Sequence, residues 1–284
     1  MSVLSIFEAT PNRVRSLARL ALHLAPTNRE ALRENLMPGK DDDAQFGQLM
    51  RETVRLGLLD ERKGEVTLGA GIKEADIGDD RRFLNCVEAA LLSDVAESGE
   101  NRTFRYALSW LLAQPSGQPI PWNSDQHLLM SEQMDGPEGY DVTNEGRFAM
   151  LCYWARFLGF ATRLECHGGN TVIPDPSEAI TRHLSDVLSD TSRIAVARFL
   201  ERVALICPVL EGGPIRREVE ERFREKRPAK QLSVATSLAL WRLEERRLIK
   251  LDHVSDAETW MMPTSIVAVG AGSNRLVSHI ERVA

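Results

Sequence analysis

The sequence predicts a mainly α-helical chain with small β-hairpin wings, organised as tandem winged helix-turn-helix units. Two observations carry this. Apolar residues recur at helical spacing through most of the chain. Three times, too, a run of helices ends in a similar step into a short pair of strands. The three exits are Leu56-Gly57-Leu58-Leu59 into Glu65-Val66-Thr67-Leu68, Leu158-Gly159-Phe160 into Asn170-Thr171-Val172-Ile173, and Arg246-Arg247-Leu248-Ile249 into Glu258-Thr259-Trp260-Met261. A repeated unit of this kind is the signature of stacked, related modules. The expected borders are 1–72, 73–189 and 190–284, with the middle unit a degenerate copy.

In the first unit, Thr10 is read as an N-cap and Pro11 as the first helical residue, where its missing N–H has no helical partner. Val14, Leu17, Ala18, Ala21 and Leu24 follow at helical spacing, and Pro26 stops the helix. Thr27 with Glu30 reads as a capping box for a second helix that Pro38-Gly39 ends. Asp41, Asp42 and Asp43 put negative charge at the start of a third helix, where the dipole favours it. Phe46, Leu49, Met50, Thr53 and Gly57 form one face of it, and Gln45, Gln48, Glu52 and Arg55 the other. Lys63-Gly64 marks the hairpin turn.

Residues 69–80 are glycine-rich and acidic and read as a linker, with Asp79-Asp80 as a solvated pair. Helices are expected over 83–95, over 103–112 and, capped by Thr143 or Asn144, over 141–158. Three prolines make 115–123 irregular. Gly168-Gly169-Asn170 is a turn between two strands, the second ending at Pro174. In the last unit Thr191 or Ser192 is read as the cap of a helix through Ile206. Pro214 opens another through Glu225, and Arg227-Pro228 breaks it. Leu232, Thr236, Ala239, Leu240 and Leu243 line one face of the third. The tail, 265–284, reads as a strand and a short closing helix.

The chain has 284 residues, 43% apolar and 27% charged, an ordinary soluble composition. It contains no eighteen-residue apolar run and no secretory signal. Cys86, Cys152, Cys166 and Cys207 are scattered with no CxxC pair, so reduced thiols in a cytoplasmic setting are expected. The net charge of −6 hides a gradient. Residues 1–72 hold ten basic and ten acidic side chains, 73–189 nine and eighteen, and 190–284 sixteen and thirteen. A polyanion is repelled by the middle and tolerated by the ends.

Those ends supply the candidate nucleic-acid residues. In the first unit Gln45, Gln48, Arg51 and Arg55 occupy the solvent face of the third helix, with Arg62 and Lys63 at the wing tip. Glutamine pairs with adenine edges, and a wing-tip cation reaches phosphate. The competing reading is a solvated face of mixed charge, and the aspartates ahead of it repel phosphate. In the last unit Arg224, Lys226, Arg227 and Lys230 face one acid, Glu225, immediately before the third helix. The glutamates at 218, 220, 221 and 225 make a salt-bridged surface the alternative. The aromatics of the middle unit, Phe148, Tyr153, Trp154 and Phe157, suit packing or a protein contact.

Catalysis finds no support. The six histidines are isolated, and Cys166-His167 lacks a second ligand pair, so no metal is expected. Glu211-Gly212-Gly213-Pro214 lacks the Lys-Ser/Thr of a phosphate loop and reads as a turn before a helix. No cofactor site is evident, and the chain is read as a non-enzyme.

Three stretches resemble one family: Ser2-Val3-Leu4-Ser5-Ile6, Thr10-Pro11-Asn12-Arg13-Val14 and Arg55-Leu56-Gly57-Leu58-Leu59. They are similar, mainly over the first 70 residues, to DpdG, an accessory protein encoded with the 7-deazapurine DNA modification and restriction cluster. The resemblance implies a phage-defence or restriction role beside separate ATPase and nuclease subunits, and carries over no catalytic residue. Tandem winged-helix subunits of condensin-like defence complexes are similar in plan and point instead to a scaffold. The expected function is therefore a component of a bacterial defence or DNA-transaction complex that binds DNA through its terminal units. The alternative is a scaffold that bridges partner proteins or forms a homodimer without touching DNA.

Overall fold

Pro11 opens the first long helix as its position predicts, and the chain then follows a recurring order. The structure, a computed structural model, describes residues 2–39, 43–93, 101–114, 119–122, 126–166, 169–263 and 274–283. Among them it is a mixed α/β protein of twelve α-helices and four small antiparallel sheets. Its contacts fall into two compact units, Met1–Phe104 and Arg105–Ala284.

The first unit begins with α1 (Pro11–His23), β1 (Thr27–Asn28), α2 (Arg29–Leu36) and α3 (Asp43–Arg55). The hairpin β2 (Leu59–Arg62) and β3 (Glu65–Leu68) comes next, and the sheet order is β1-β3-β2. The cap of α2 is Asn28, which accepts from the Ala31 N–H at 2.9 Å; Thr27, one residue earlier, pairs with Val66 instead. The hairpin turn is Lys63-Gly64, both at positive φ, as a two-residue turn between twisted strands requires.

Residues 69–80 are not a linker. Gly69 crosses Gly57 so closely that a Cβ would lie 1.8 Å from the Gly57 carbonyl oxygen. The chain then forms α4 (Glu74–Gly78) and α5 (Asp80–Leu92). Asp79 caps α5 through the Arg82 N–H, while Asp80 pairs with Arg19 at 2.7 Å. Arg19 also donates to the Ile77 carbonyl, so α1 holds this segment down.

The unit border falls within α6 (Arg102–Leu112). The second unit continues with β4 (Ile120–Pro121), α7 (Gln126–Gln133), α8 (Glu145–Phe157), β5 (Ala161–Cys166) and β6 (Gly169–Pro174). This sheet has the order β4-β6-β5, the order of the first sheet. Asn144 caps α8, and Phe148 packs edge-on against Trp110.

A third run starts at α9 (Ser177–Val187), a helix absent from the expected elements. It continues through β7 (Arg193–Ala195), α10 (Val196–Ile206), α11 (Pro214–Arg222), α12 (Val234–Glu245) and β8 (Ile249–Asp252). Ala195, not Thr191 or Ser192, precedes α10, because 193–195 is a strand. β8 does not pair with the residues around Trp260. Those form β9 (Trp260–Met262), which pairs with β10 (Arg275–Val277). The partner of β8 is β11 (His279–Arg282), in the sheet β7-β11-β8. Of the tail, the described residues 274–283 form two strands and no helix, and 265–273 lie outside the described residues.

All three exits share one local geometry. Gly57, Gly159 and Arg247 have φ of 71°, 80° and 58°. Each donates three residues back, to Val54, Arg156 and Glu244. The next residue donates five back, to Thr53, Ala155 and Leu243. That pair of bonds satisfies the last helical carbonyls and turns the chain into the strand.

Candidate nucleic-acid interface

In the first unit α3 buries Phe46, Leu49, Met50 and Thr53, and Arg51 stands exposed on the opposite side with Gln45 and Gln48 half-buried. Gln45 lines a cleft of about 500 Å³ with Asn12, Arg13, Met37 and Leu49. Lys63 is exposed at the hairpin tip. Arg62 is 81% exposed and pairs with Asp60 at 2.7 Å.

Glu52 departs from the sequence reading, since it is 1% exposed rather than on the solvent face. A buried carboxylate needs a partner, and Arg55 supplies it. Its guanidinium holds Glu52 from the next turn and donates to Asn101 Oδ1 at 2.6 Å. Asn101 is anchored in turn on the Ala90 carbonyl. Arg55 therefore ties α3, through Asn101, to the last turn of α5. The one sequence signal for this was the Glu-x-x-Arg spacing, which also describes any exposed helix face.

In the basic turn of the last unit Arg227 is likewise taken up by the fold, while Arg224, Lys226 and Lys230 make exposed contacts. Arg224 pairs with Asp135 at 3.1 Å and donates to the Glu132 carbonyl, beside a bridge between Phe223 and Met134. Lys226 caps the end of α11 on the carbonyls of Glu220 and Glu221. Arg227 is the hub, pairing with Glu211 at 2.6 Å, with Glu220 at 3.1 Å and with the Gln231 carbonyl. Glu211, 4% exposed, also accepts from the Ser233 N–H at the start of α12. Burial pushes the Glu220 carboxyl up, but Arg216 and Arg227 outweigh it and hold it below its ordinary range. Lys230, at φ 57°, pairs with Glu258 at 3.1 Å.

The third helix of this run is enclosed. α12 buries Ala235, Thr236, Ser237, Leu238, Ala239, Leu240 and Leu243, more than one face can hold. α9 packs across it, and three of the charges at its C-terminal end are paired: Arg242 with Asp175, Arg246 with Glu178 at 2.6 Å, and Glu244 with Arg275. Among the sequence candidates, the structure groups Gln48 and Arg51 on one outward stripe of α3 and Arg62 and Lys63 at one hairpin tip. It gives Arg55 and Arg227 part-buried partners, whereas Arg224, Lys226 and Lys230 stay exposed and pair at the surface.

Elsewhere Gly212 and Gly213 form the turn ahead of Pro214, and a Cβ on Gly213 would sit 2.2 Å from the Pro208 carbonyl oxygen. Such a crossing leaves no open cradle for a phosphate. His167 and the side chain of Cys166 lie outside the described residues. Among the described residues no helix is long and apolar enough to cross a membrane.

These features define a protein of repeated small helical units, each closed by a three-stranded antiparallel sheet, with an exposed polar helix face in the first. The chain belongs to the DpdG-like family, which it matches over residues 1–257. No curated protein and no solved structure matches it.

Proposed function

We propose that the protein is a non-enzymatic tandem winged-helix component of the 7-deazapurine DNA modification and restriction system to which its family is linked, and that it contacts duplex DNA through its first unit. The order helix, strand, helix, helix, strand, strand in the first two runs supports the winged-helix reading; the last run has three helices, α10, α11 and α12, between β7 and β8, and in all three runs the last strand lies between the other two. The observation that carries the DNA reading is the outward stripe of α3, with Gln48 and Arg51, beside a hairpin tip bearing Arg62 and Lys63. A third helix of this kind enters the major groove while the wing reaches phosphate.

Restricting contact to the first unit has a measurable consequence. Each neutralised phosphate contributes about −0.9 to the slope of log affinity against log salt, so Arg51, Arg62 and Lys63 together give about −3. Fluorescence anisotropy of a labelled duplex across a salt series measures this. Arg51→Ala with Lys63→Ala is expected to flatten the slope by about 2. No binding at low salt, or a slope unchanged in that variant, overturns the reading.

The scaffold reading is favoured by a separate observation. α12, which occupies the place of α3 in the last run, is buried on nearly all sides, so that run is built for packing rather than groove insertion.

A further inference from the structure

The middle run carries a surface that neither DNA contact nor the core uses. Counted back from the glycine that ends each third helix, Tyr153 on α8 takes the place of Arg51 on α3, and Arg156 the place of Val54. Tyr153 is 42% exposed. Beneath it Trp122, 4% exposed, meets the Tyr153 ring edge-on at 5.2 Å. The Arg163 guanidinium covers the Trp122 ring at 5.6 Å and is itself fixed by Asn170 at 2.7 Å and Glu165 at 2.8 Å. The platform is thus preorganised, with little left to order on binding.

Next to it Arg156, Ala161, Thr162, Arg163 and Glu165 line a hollow of about 310 Å³. Arg163 and Glu165 neutralise one another. Arg156 is exposed and has no carboxylate within ion-pair distance among the described residues. The local need is for one negative charge beside a large apolar contact.

From this we infer that the α8 face is a docking surface for a partner protein, taking a segment with an apolar side chain over Tyr153 and a carboxylate at Arg156. Tyrosine, tryptophan and arginine are the residues that dominate protein interfaces when clustered over a fixed support. A polynucleotide would meet the same aromatics, but residues 73–189 carry nine basic against eighteen acidic side chains, and that field repels a polyanion. The inference does not rest on DNA binding by the first unit.

The test selects random linear peptides from a phage-displayed library on the full chain and measures the enriched peptides in solution. Arg156 is exposed, and Tyr153→Ala removes only the ring contact to Trp122, so a thermal melt checks that Tyr153→Ala and Arg156→Glu both remain folded. Enriched peptides are expected to pair an aromatic or aliphatic residue with Asp or Glu and to lose about 30-fold in affinity on either substitution. Changing the peptide's acid to lysine is expected to restore binding to the Arg156→Glu chain. Peptides indifferent to both substitutions, or failure of the charge swap, overturn the assignment. So does tight binding of oligothymidine that Tyr153→Ala abolishes, which would make the surface a base-stacking platform.

Discussion

Arg227→Ala separates an internal role for the basic turn from a phosphate-binding one. The side chain is 26% exposed and faces two carboxylates, one of them, on Glu211, 4% exposed. Its removal strands that charge, with the Ser233 N–H as its remaining hydrogen-bond donor. Breaking a buried ion pair from one side costs about 3–5 kcal/mol, and the partial exposure of Arg227 argues for about 3. In a unit of this size about 3 kcal/mol lowers Tm by about 6–12 °C. All five tryptophans, at 110, 122, 154, 241 and 260, lie in Arg105–Ala284, so tryptophan fluorescence follows that unit's melting alone. Adding Glu211→Gln removes the stranded charge and is expected to recover part of the loss. If Arg227→Ala melts within about 1 °C of the parent chain, a shift worth well under 1 kcal/mol, while duplex binding weakens, the side chain faces phosphate and the reasoning fails.

The same geometry makes three further outcomes testable. Because Glu220 is held below its ordinary value of 4.5, the stability it contributes is present above that value and lost as pH falls through its lower folded value. An acid titration monitored by tryptophan fluorescence should show this loss, and Arg227→Ala should shrink it. Arg55→Ala leaves Glu52 buried and unpaired and should cost about 3 kcal/mol in urea unfolding, with Glu52→Gln restoring part of it; a loss confined to DNA binding would contradict the internal pairing. Arg247 is an exposed non-glycine residue at φ 58°, so Arg247→Gly should stabilise the chain by about 0.5–1 kcal/mol, checked by the urea midpoint.

The helix exits were legible because their cause is local. A Leu-Gly step after an apolar run supplies the positive φ and the six-residue bond pattern by itself, and even Arg246-Arg247 adopts it. Pro11, Asn144, Lys63-Gly64 and Pro214 were legible for the same reason, since caps and tight turns close within a few residues. Thr27 and Asn28 mark where that reach ends. Either side chain suits a cap, and the choice falls to the pairing with β3, which ends at Asn28 opposite Glu65 and leaves Asn28 at the start of α2. α9 was missed although its period is present in the sequence: Glu178, Ser185 and Asp186 are exposed opposite buried Ala179, Ile180, Leu184 and Val187.

The charged residues show the limit more sharply. In sequence, Arg224 to Lys230 is a basic stretch before a helix, and Arg55 is one more cation on a polar face. Their partners, Asp135, Glu211, Glu258 and Asn101, are brought beside them by packing. The sequence by itself determined the repeated helix endings, the hairpin tip, the family and the division of charge. Tertiary structure alone decided that β8 pairs with β11, that α12 is enclosed and which cations turn to internal partners. Backbone turns are set by torsions within a few residues, whereas strand partners and counter-ions are chosen by whatever the fold brings within about 4 Å.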